Sequence, residues 1–317
     1  MIRFTKYHGC GNDFVIVEEK DVAAFSDDFP ELARSMCSRR IGIGADGLII
    51  VRENPLEMMI YNSDGSRAPM CGNGIRCFAQ YCLLEGIVPI TEAKFAVETL
   101  AGQMQVQVLS RDPFLVEIEV GEPIWTAAAV GIDTTKYAEQ VDVSQPFLQK
   151  QMEVLGRTIS VSSLFIGTIH TVIWVGEKGS LGVESLAKNP IWTKTSAVDF
   201  DVDEEVIRLG RELSNSPVFG EKTNVNFAQV LDANTVRLIT YERGAGLTAA
   251  CGTGACAVLA LGLREGKLNS RCEILLPYGT LQIRQEEGRI YMAGPSEKIM
   301  QGNYFVAEQK GQSHGRT

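Results

Sequence analysis

Tyr61-Asn-Ser-Asp-Gly-Ser-Arg-Ala-Pro-Met-Cys71-Gly-Asn-Gly-Ile-Arg76 and Tyr241-Glu-Arg-Gly-Ala-Gly-Leu-Thr-Ala-Ala-Cys251-Gly-Thr-Gly-Ala-Cys256 are two copies of one pattern. Tyr61 and Tyr241, Cys71 and Cys251, Gly72 and Gly252, Gly74 and Gly254, and Glu85-Gly86 and Glu265-Gly266 are all separated by 180 residues. A run of matches at a single offset indicates an internal duplication. The flanks agree. A β-rich run precedes each Tyr, Glu57–Tyr61 and Thr235–Tyr241, and a helix-compatible stretch follows each Cys-Gly-x-Gly, Ile75–Leu84 and Ala255–Arg264. Gly86 and Gly266 then supply C-caps.

Working outward, alternating strands are expected at Gln103–Val108 and Val116–Val120 in the first copy, and at Thr280–Arg284 and Arg289–Met292 in the second. Gly11–Val17 has its counterpart in Gly167–Val175. The expected architecture is α/β of the α+β kind: two pseudo-symmetric halves joined near residues 121–130, each a mostly antiparallel sheet or barrel around a central helix, with the active site in the cleft between them. Gly42-Ile-Gly44-Ala-Asp-Gly47 matches the dinucleotide fingerprint, but it follows Arg39-Arg40 and leads into a strand, Leu48–Val51, so it is set aside.

Composition narrows the function. The 317 residues carry 30 Lys+Arg against 39 Asp+Glu, a formal charge of −9, which disfavours nucleic-acid and anionic-membrane partners. No apolar run reaches the ~18 residues of a membrane span, and the N-terminal residues lack a signal-type apolar region, so a cytoplasmic protein is expected. The eight cysteines are expected to be free thiols in such a compartment. With no Cys-x₂-Cys and three histidines, one of them His314 in a polar tail, no metal site is expected.

The glycines after Cys71 and Cys251 open each helix, so the first-turn N–H groups of Gly72, Asn73, Gly252 and Thr253 form anion sites suited to a carboxylate. A thiol beside that positive end should have a lowered pKa. One such motif alone reads as a glycine-rich turn over a buried, inert cysteine. Two related by pseudo-twofold symmetry bracket one small anion, and a thiolate and a thiol on opposite faces of a carbon suit inversion of a stereocentre next to a carboxylate. Cys77, Cys82 and Cys256 fall on the helices and read as core packing. Glu242 follows Tyr241 where the first copy has Asn62, and His170, Asn12, Asn224 and Arg243 lie near strand ends or turns, where an Arg facing amides could clamp a second carboxylate.

Tyr7-His-Gly-Cys-Gly-Asn-Asp-Phe14, Asn62-Ser-Asp-Gly-Ser66, Cys71-Gly-Asn-Gly-Ile-Arg-Cys-Phe-Ala79, Thr223-Asn-Val-Asn-Phe227, Tyr241-Glu-Arg-Gly244 and Ala250-Cys-Gly-Thr-Gly-Ala-Cys-Ala257 together resemble the diaminopimelate epimerase family, in order and over nearly the whole chain. The resemblance implies cofactor-independent interconversion of LL- and meso-diaminopimelate, a step toward lysine and peptidoglycan. It assigns Cys71 and Cys251 as paired base and acid, with His170 and Glu242 as their polar neighbours. Gly72-Asn73 and Gly252-Thr253 would hold the reacting carboxylate, and Asn12, Asn62, Asn224 and Arg243 the other polar groups. It further implies a first half over residues 1–122 joined by a returning strand near 297–307, a second half over 123–296, and a tail over 308–317. A small amino acid is the only expected partner, and a homodimer is left open.

Four places depart from the family pattern. Thr168-Ile169 stands for Asn-Pro before His170, Gly220 for Pro after Phe219, and Leu247 for Glu, while the segment between Val175 and Phe219 is longer. Thr168 falls at a substrate-contacting position, which keeps a pyridoxal-phosphate-independent racemase of another amino acid as the alternative. A non-catalytic amino-acid-binding module is the third reading, and matched cysteines are unnecessary for it.

Overall fold

Each Cys-Gly-x-Gly helix is apolar on nearly every side, so it can be stable only when sheet surrounds it. In the computed structural model, which describes residues 1–23, 28–137, 140–176, 190–196 and 199–306, both helices are enclosed in that way. They run over Gly72–Leu84 and Gly252–Arg264, three residues earlier than the sequence pattern suggests, because Cys71 and Cys251 are themselves the extended N-caps and glycine fits the first turn. Each ends with the cap N–H of Glu85 or Glu265 bonded to Tyr81 or Leu261, followed by a left-handed glycine, Gly86 at φ 75° or Gly266 at φ 70°. The tail 308–317 with His314, residue 307 and much of the lengthened segment lie outside the described residues.

The same chain of pairings surrounds each helix. Ile2–Gly9 turns back on Asn12–Glu18, which runs parallel to Gly47–Arg52, itself antiparallel to Glu57–Asn62. In the second set, Arg157–Ile166 turns back on Thr168–Trp174, parallel to Asn224–Asp232, itself antiparallel to Thr235–Glu242. Registers correspond residue by residue: Phe14 lies beside Gly47 and Ile49 opposite Ile60, as His170 lies beside Asn224 and Asn226 opposite Thr240. The discarded dinucleotide-like glycine run does lead into the Gly47–Arg52 strand.

One pairing ties the two sets together, and a last strand returning to the first set completes one eighteen-stranded sheet among the described residues. Arg289–Pro295 pairs antiparallel with Phe114–Gly121, and Glu297–Tyr304 with Ile2–Gly9. A single apolar core accordingly holds residues of both helices, including Ile75, Phe78, Ala255, Val258 and Leu261, together with Met292. Cys77, Cys82 and Cys256 are fully buried in it. No described helix is long and apolar enough to cross a membrane.

Candidate active site

Met292 shows how closely the two helix N-termini meet. A Cβ placed on Gly72 would lie 2.5 Å from Met292 Cε, and one on Gly252 2.7 Å from Met292 Sδ, so one methionine side chain fills the gap between both first turns. A larger residue on either side would have to displace the end of that methionine. Asn73 bridges the same junction: its Nδ2 donates to Asn12 Oδ1 at 3.1 Å and, at 3.4 Å, to the carbonyl of Ala250, which precedes Cys251. The internal duplication thus brings together two helix N-termini, each capped by a cysteine, Cys71 and Cys251.

The thiols differ in their neighbours. Cys71 Sγ accepts from Gly74 N–H at 3.4 Å and lies 3.7 Å from Asn12 Oδ1 as donor. Cys251 Sγ lies 3.6 Å from Thr253 Oγ1 and hydrogen-bonds Glu242, whose Oε1 also accepts from Thr248 Oγ1 at 2.6 Å. Contrary to the sequence expectation, both thiols are pushed up rather than down. Burial is the largest cause at each, opposed at Cys71 by the Gly74 and Asn73 N–H groups and Arg76, and reinforced at Cys251 by the Glu242 charge. A helix terminus contributes roughly 0.3–1 kcal/mol, less than the desolvation of a buried thiolate. Burial likewise raises the Glu242 carboxyl, opposed by its hydrogen bonds with Thr248 and Cys251.

His170 is completely buried, and burial together with the Arg243 charge holds its imidazole down at about 3, neutral at any physiological pH. Asn226 Nδ2 contacts His170 Nδ1 at 3.2 Å. The Asn226 amide can face only one way, because Nδ2 also donates to the carbonyls of Thr171 and Asn224 while Oδ1 accepts from Thr240. Nδ1 therefore faces a donor and is unprotonated, and Nε2 carries the proton, with no hydrogen-bond partner among the described residues.

The remaining expected residues divide into two groups. Asn12 is aimed by Asp46, which accepts from its Nδ2 at 2.7 Å. Gly167 abuts Thr253, where a Cβ would meet Cγ2 at 2.9 Å, so the neighbouring Thr168 stands at the second helix terminus with its hydroxyl buried and without a hydrogen-bond partner among the described residues. Asn224 Oδ1 accepts from the Arg243 backbone N–H, and the exposed Arg243 side chain donates one Nη to the Glu221 carbonyl. Asn62 is exposed and donates to Ser66 Oγ; no hydrogen bond joins it to a thiol-bearing residue among those described. Asp46, Thr248, Asn226 and Met292 escaped the sequence reading. Asn226 alone had a signal, a buried-strand position filled by an amide. Among the described residues no group of three or more His, Cys, Asp or Glu is arranged to hold a metal.

The family model of diaminopimelate epimerase matches residues 4–126 and 196–299. A diaminopimelate epimerase of Alkaliphilus metalliredigens is 35% identical over 310 residues, 96% of this chain and 98% of that one. One of Carboxydothermus hydrogenoformans is 37% identical over 310 residues, covering 96% and 100%. Among solved structures, a probable proline racemase from Agrobacterium radiobacter K84 superposes with a TM-score of 0.66 at 14% identity, covering 98% of this chain and 95% of that one, a likeness of fold alone.

Proposed function

Because the chain belongs to the diaminopimelate epimerase family, we propose that it interconverts LL- and meso-diaminopimelate by a two-thiol mechanism needing no cofactor. The observation that carries this reading is the meeting of the Cys71 and Cys251 helix termini across Met292. The substrate's α-carboxylate binds at the N–H groups of Gly72-Asn73 and Gly252-Thr253, where helix dipoles favour an anion. One cysteine, as thiolate, takes the Cα proton, and the other, as thiol, returns a proton to the opposite face, so the base ends protonated and the acid ends as thiolate. Glu242 steadies the proton on Cys251, and neutral His170 offers its Nε2–H as a donor.

Asn12, Asn62, Asn224 and Arg243 hold the substrate's remaining polar groups, the exposed Arg243 guanidinium taking the distal carboxylate. Eight free thiols fit a reducing cytoplasm. Thr168, shorter than the family Asn and with a hydroxyl unpartnered among the described residues, favours a second reading in which the distal group differs and another amino acid is racemised.

The test is solvent exchange in D₂O across diaminopimelate, lysine, histidine and glutamate. Diaminopimelate should take up deuterium at Cα and lose optical purity fastest. Cys71→Ala and Cys251→Ala should each abolish epimerisation. Preference for another amino acid would overturn the substrate, and near-parental turnover in either alanine variant would overturn the two-thiol assignment.

A further inference from the structure

Arg76 is the largest fully buried side chain among the described residues, and the mechanism above leaves it unused. It sits one turn inside the first helix. Its Nε donates to the Pro295 carbonyl at 3.2 Å, Nη1 to the Gly72 carbonyl at 2.9 Å and Nη2 to Asn73 Oδ1 at 2.9 Å, while Nη2 also lies 4.0 Å from Cys10 Sγ. No carboxylate lies within ion-pair distance among the described residues. A guanidinium out of water with neutral partners only is costly, and a purely structural role would be served as well by an apolar side chain.

The space it occupies is built for it. A Cβ on Gly9 would lie 2.9 Å from Nη2, and one on Gly294 2.5 Å from Leu281 Cδ2, 2.9 Å from Nε and 3.0 Å from Cζ. Neither glycine has a positive φ, so close packing rather than backbone conformation calls for glycine at both: against the guanidinium at Gly9, and against the guanidinium and Leu281 together at Gly294. Asn73 is the first consequence. With its Oδ1 taken by Arg76, its Nδ2 must face Asn12 and the Ala250 carbonyl, the bond that crosses to the Cys251 helix.

We infer that Arg76 is a positioning residue of the epimerisation site: it locks Asn73 as the clamp between the two cysteine-bearing termini and keeps a buried positive charge there that is neutralised only by a thiolate or the substrate's α-carboxylate. The inference rests on the epimerase reading for the substrate, but its effect on the thiol stands on geometry. The Arg76 charge also opposes burial at Cys71.

The experiment compares the parent with Arg76→Met and Arg76→Lys, using circular dichroism to check folding, iodoacetamide alkylation of Cys71 scored by peptide mapping, and kcat and KM for diaminopimelate. Arg76→Met should fold, alkylate Cys71 about tenfold more slowly or worse at pH 8, and lose about a hundredfold in kcat/KM. Arg76→Lys, which keeps the charge without the fork, should recover the alkylation rate but not kcat. A folded Arg76→Met with parental alkylation and kcat/KM overturns the inference. Should that variant not fold, parental kcat and KM in Arg76→Lys overturn the positioning role. Alkylation involves no amino acid, so a parent inactive on diaminopimelate would overturn the substrate reading and leave this one standing.

Discussion

Gly74 and Gly254 occupy the same place in the two helices, three residues past each thiol, yet alanine should have opposite consequences at them. Helix propensity favours alanine at both by roughly 0.5–1 kcal/mol. At Gly74 the new Cβ meets Ile60 Cδ1 at 3.2 Å and Ile49 Cδ1 at 3.3 Å, both methyl ends of flexible side chains that yield by a few tenths of an ångström. Gly74→Ala should therefore be within about 1 kcal/mol of the parent. At Gly254 the Cβ falls 2.3 Å from Asn226 Oδ1 and 3.2 Å from Thr240 Oγ1. That amide cannot step aside, being held by Thr240 at one end and by Thr171 and Asn224 at the other. Moving it breaks about two hydrogen bonds at about 1 kcal/mol each and adds about 1–3 kcal/mol of overpacking. After the propensity gain is subtracted, Gly254→Ala should cost about 2–4 kcal/mol. Urea unfolding reads this as a lowered midpoint at constant m. Asn226→Ala in the Gly254→Ala background should recover part of the loss, since the obstructing oxygen is gone, and a double-mutant cycle would measure it. Equal midpoints for the two single variants, or a larger loss at Gly74, would refute the steric argument.

Other outcomes follow from the charges. Arg243→Met should lower kcat/KM for diaminopimelate about a hundredfold while leaving Cys71 alkylation unchanged; parental kcat/KM would remove Arg243 from distal recognition. Both thiols lie above their ordinary range, so the thiolate fraction of the free enzyme grows with pH, and kcat/KM should climb by up to about tenfold per unit between pH 6 and 8; a flat profile there contradicts it. His170 titrates at about 3 when folded, below its unfolded value of about 6.5. The folded state therefore binds fewer protons between those pH values, and its stability, complete above pH 6.5, falls by up to about 1.4 kcal/mol per unit as pH drops toward 3. His170→Gln should flatten that slope in urea titrations at pH 5 and 7, and an unchanged slope would place the acid lability elsewhere.

What the sequence made legible was whatever local chemistry writes into adjacent residues. Cys-Gly-x-Gly with a capping glycine after Glu85 and Glu265 specifies a helix by itself, and a constant offset of 180 made the duplication visible by subtraction. The thiol pKa direction was misjudged because sequence shows the dipole beside a cysteine but not how much water burial removes. Arg76 and Met292 were out of reach for a related reason: Pro295, the partner of Arg76, and Gly72, the partner of Met292, come from the opposite half and are brought close by the pairing of Arg289–Pro295 with Phe114–Gly121. Asn226 is the instructive case. Ile49 and Asn226 are equivalent by register but 177 residues apart, Ile60 and Thr240 are 180 apart, and Phe14 and His170 are 156 apart, because the loops between strands differ in length. No single offset aligns them. Once the registers do, the first half shows Phe14, Ile49 and Ile60 where the second shows His170, Asn226 and Thr240, an apolar trio against a hydrogen-bonded polar one. The backbone frame and the thiol are shared, so this difference lies in what stands behind each thiol, beside the exchange of Asn62 for Glu242 and of Asn73 for Thr253. An apolar backing leaves the Cys71 side to the Gly74 and Asn73 N–H groups and the Arg76 charge, whereas the polar trio fixes the tautomer of His170 beside the Cys251 helix. On the proposed mechanism, two thiols of equal intrinsic chemistry meet a single chiral carbon in unequal surroundings, matching two substrates that are different stereoisomers.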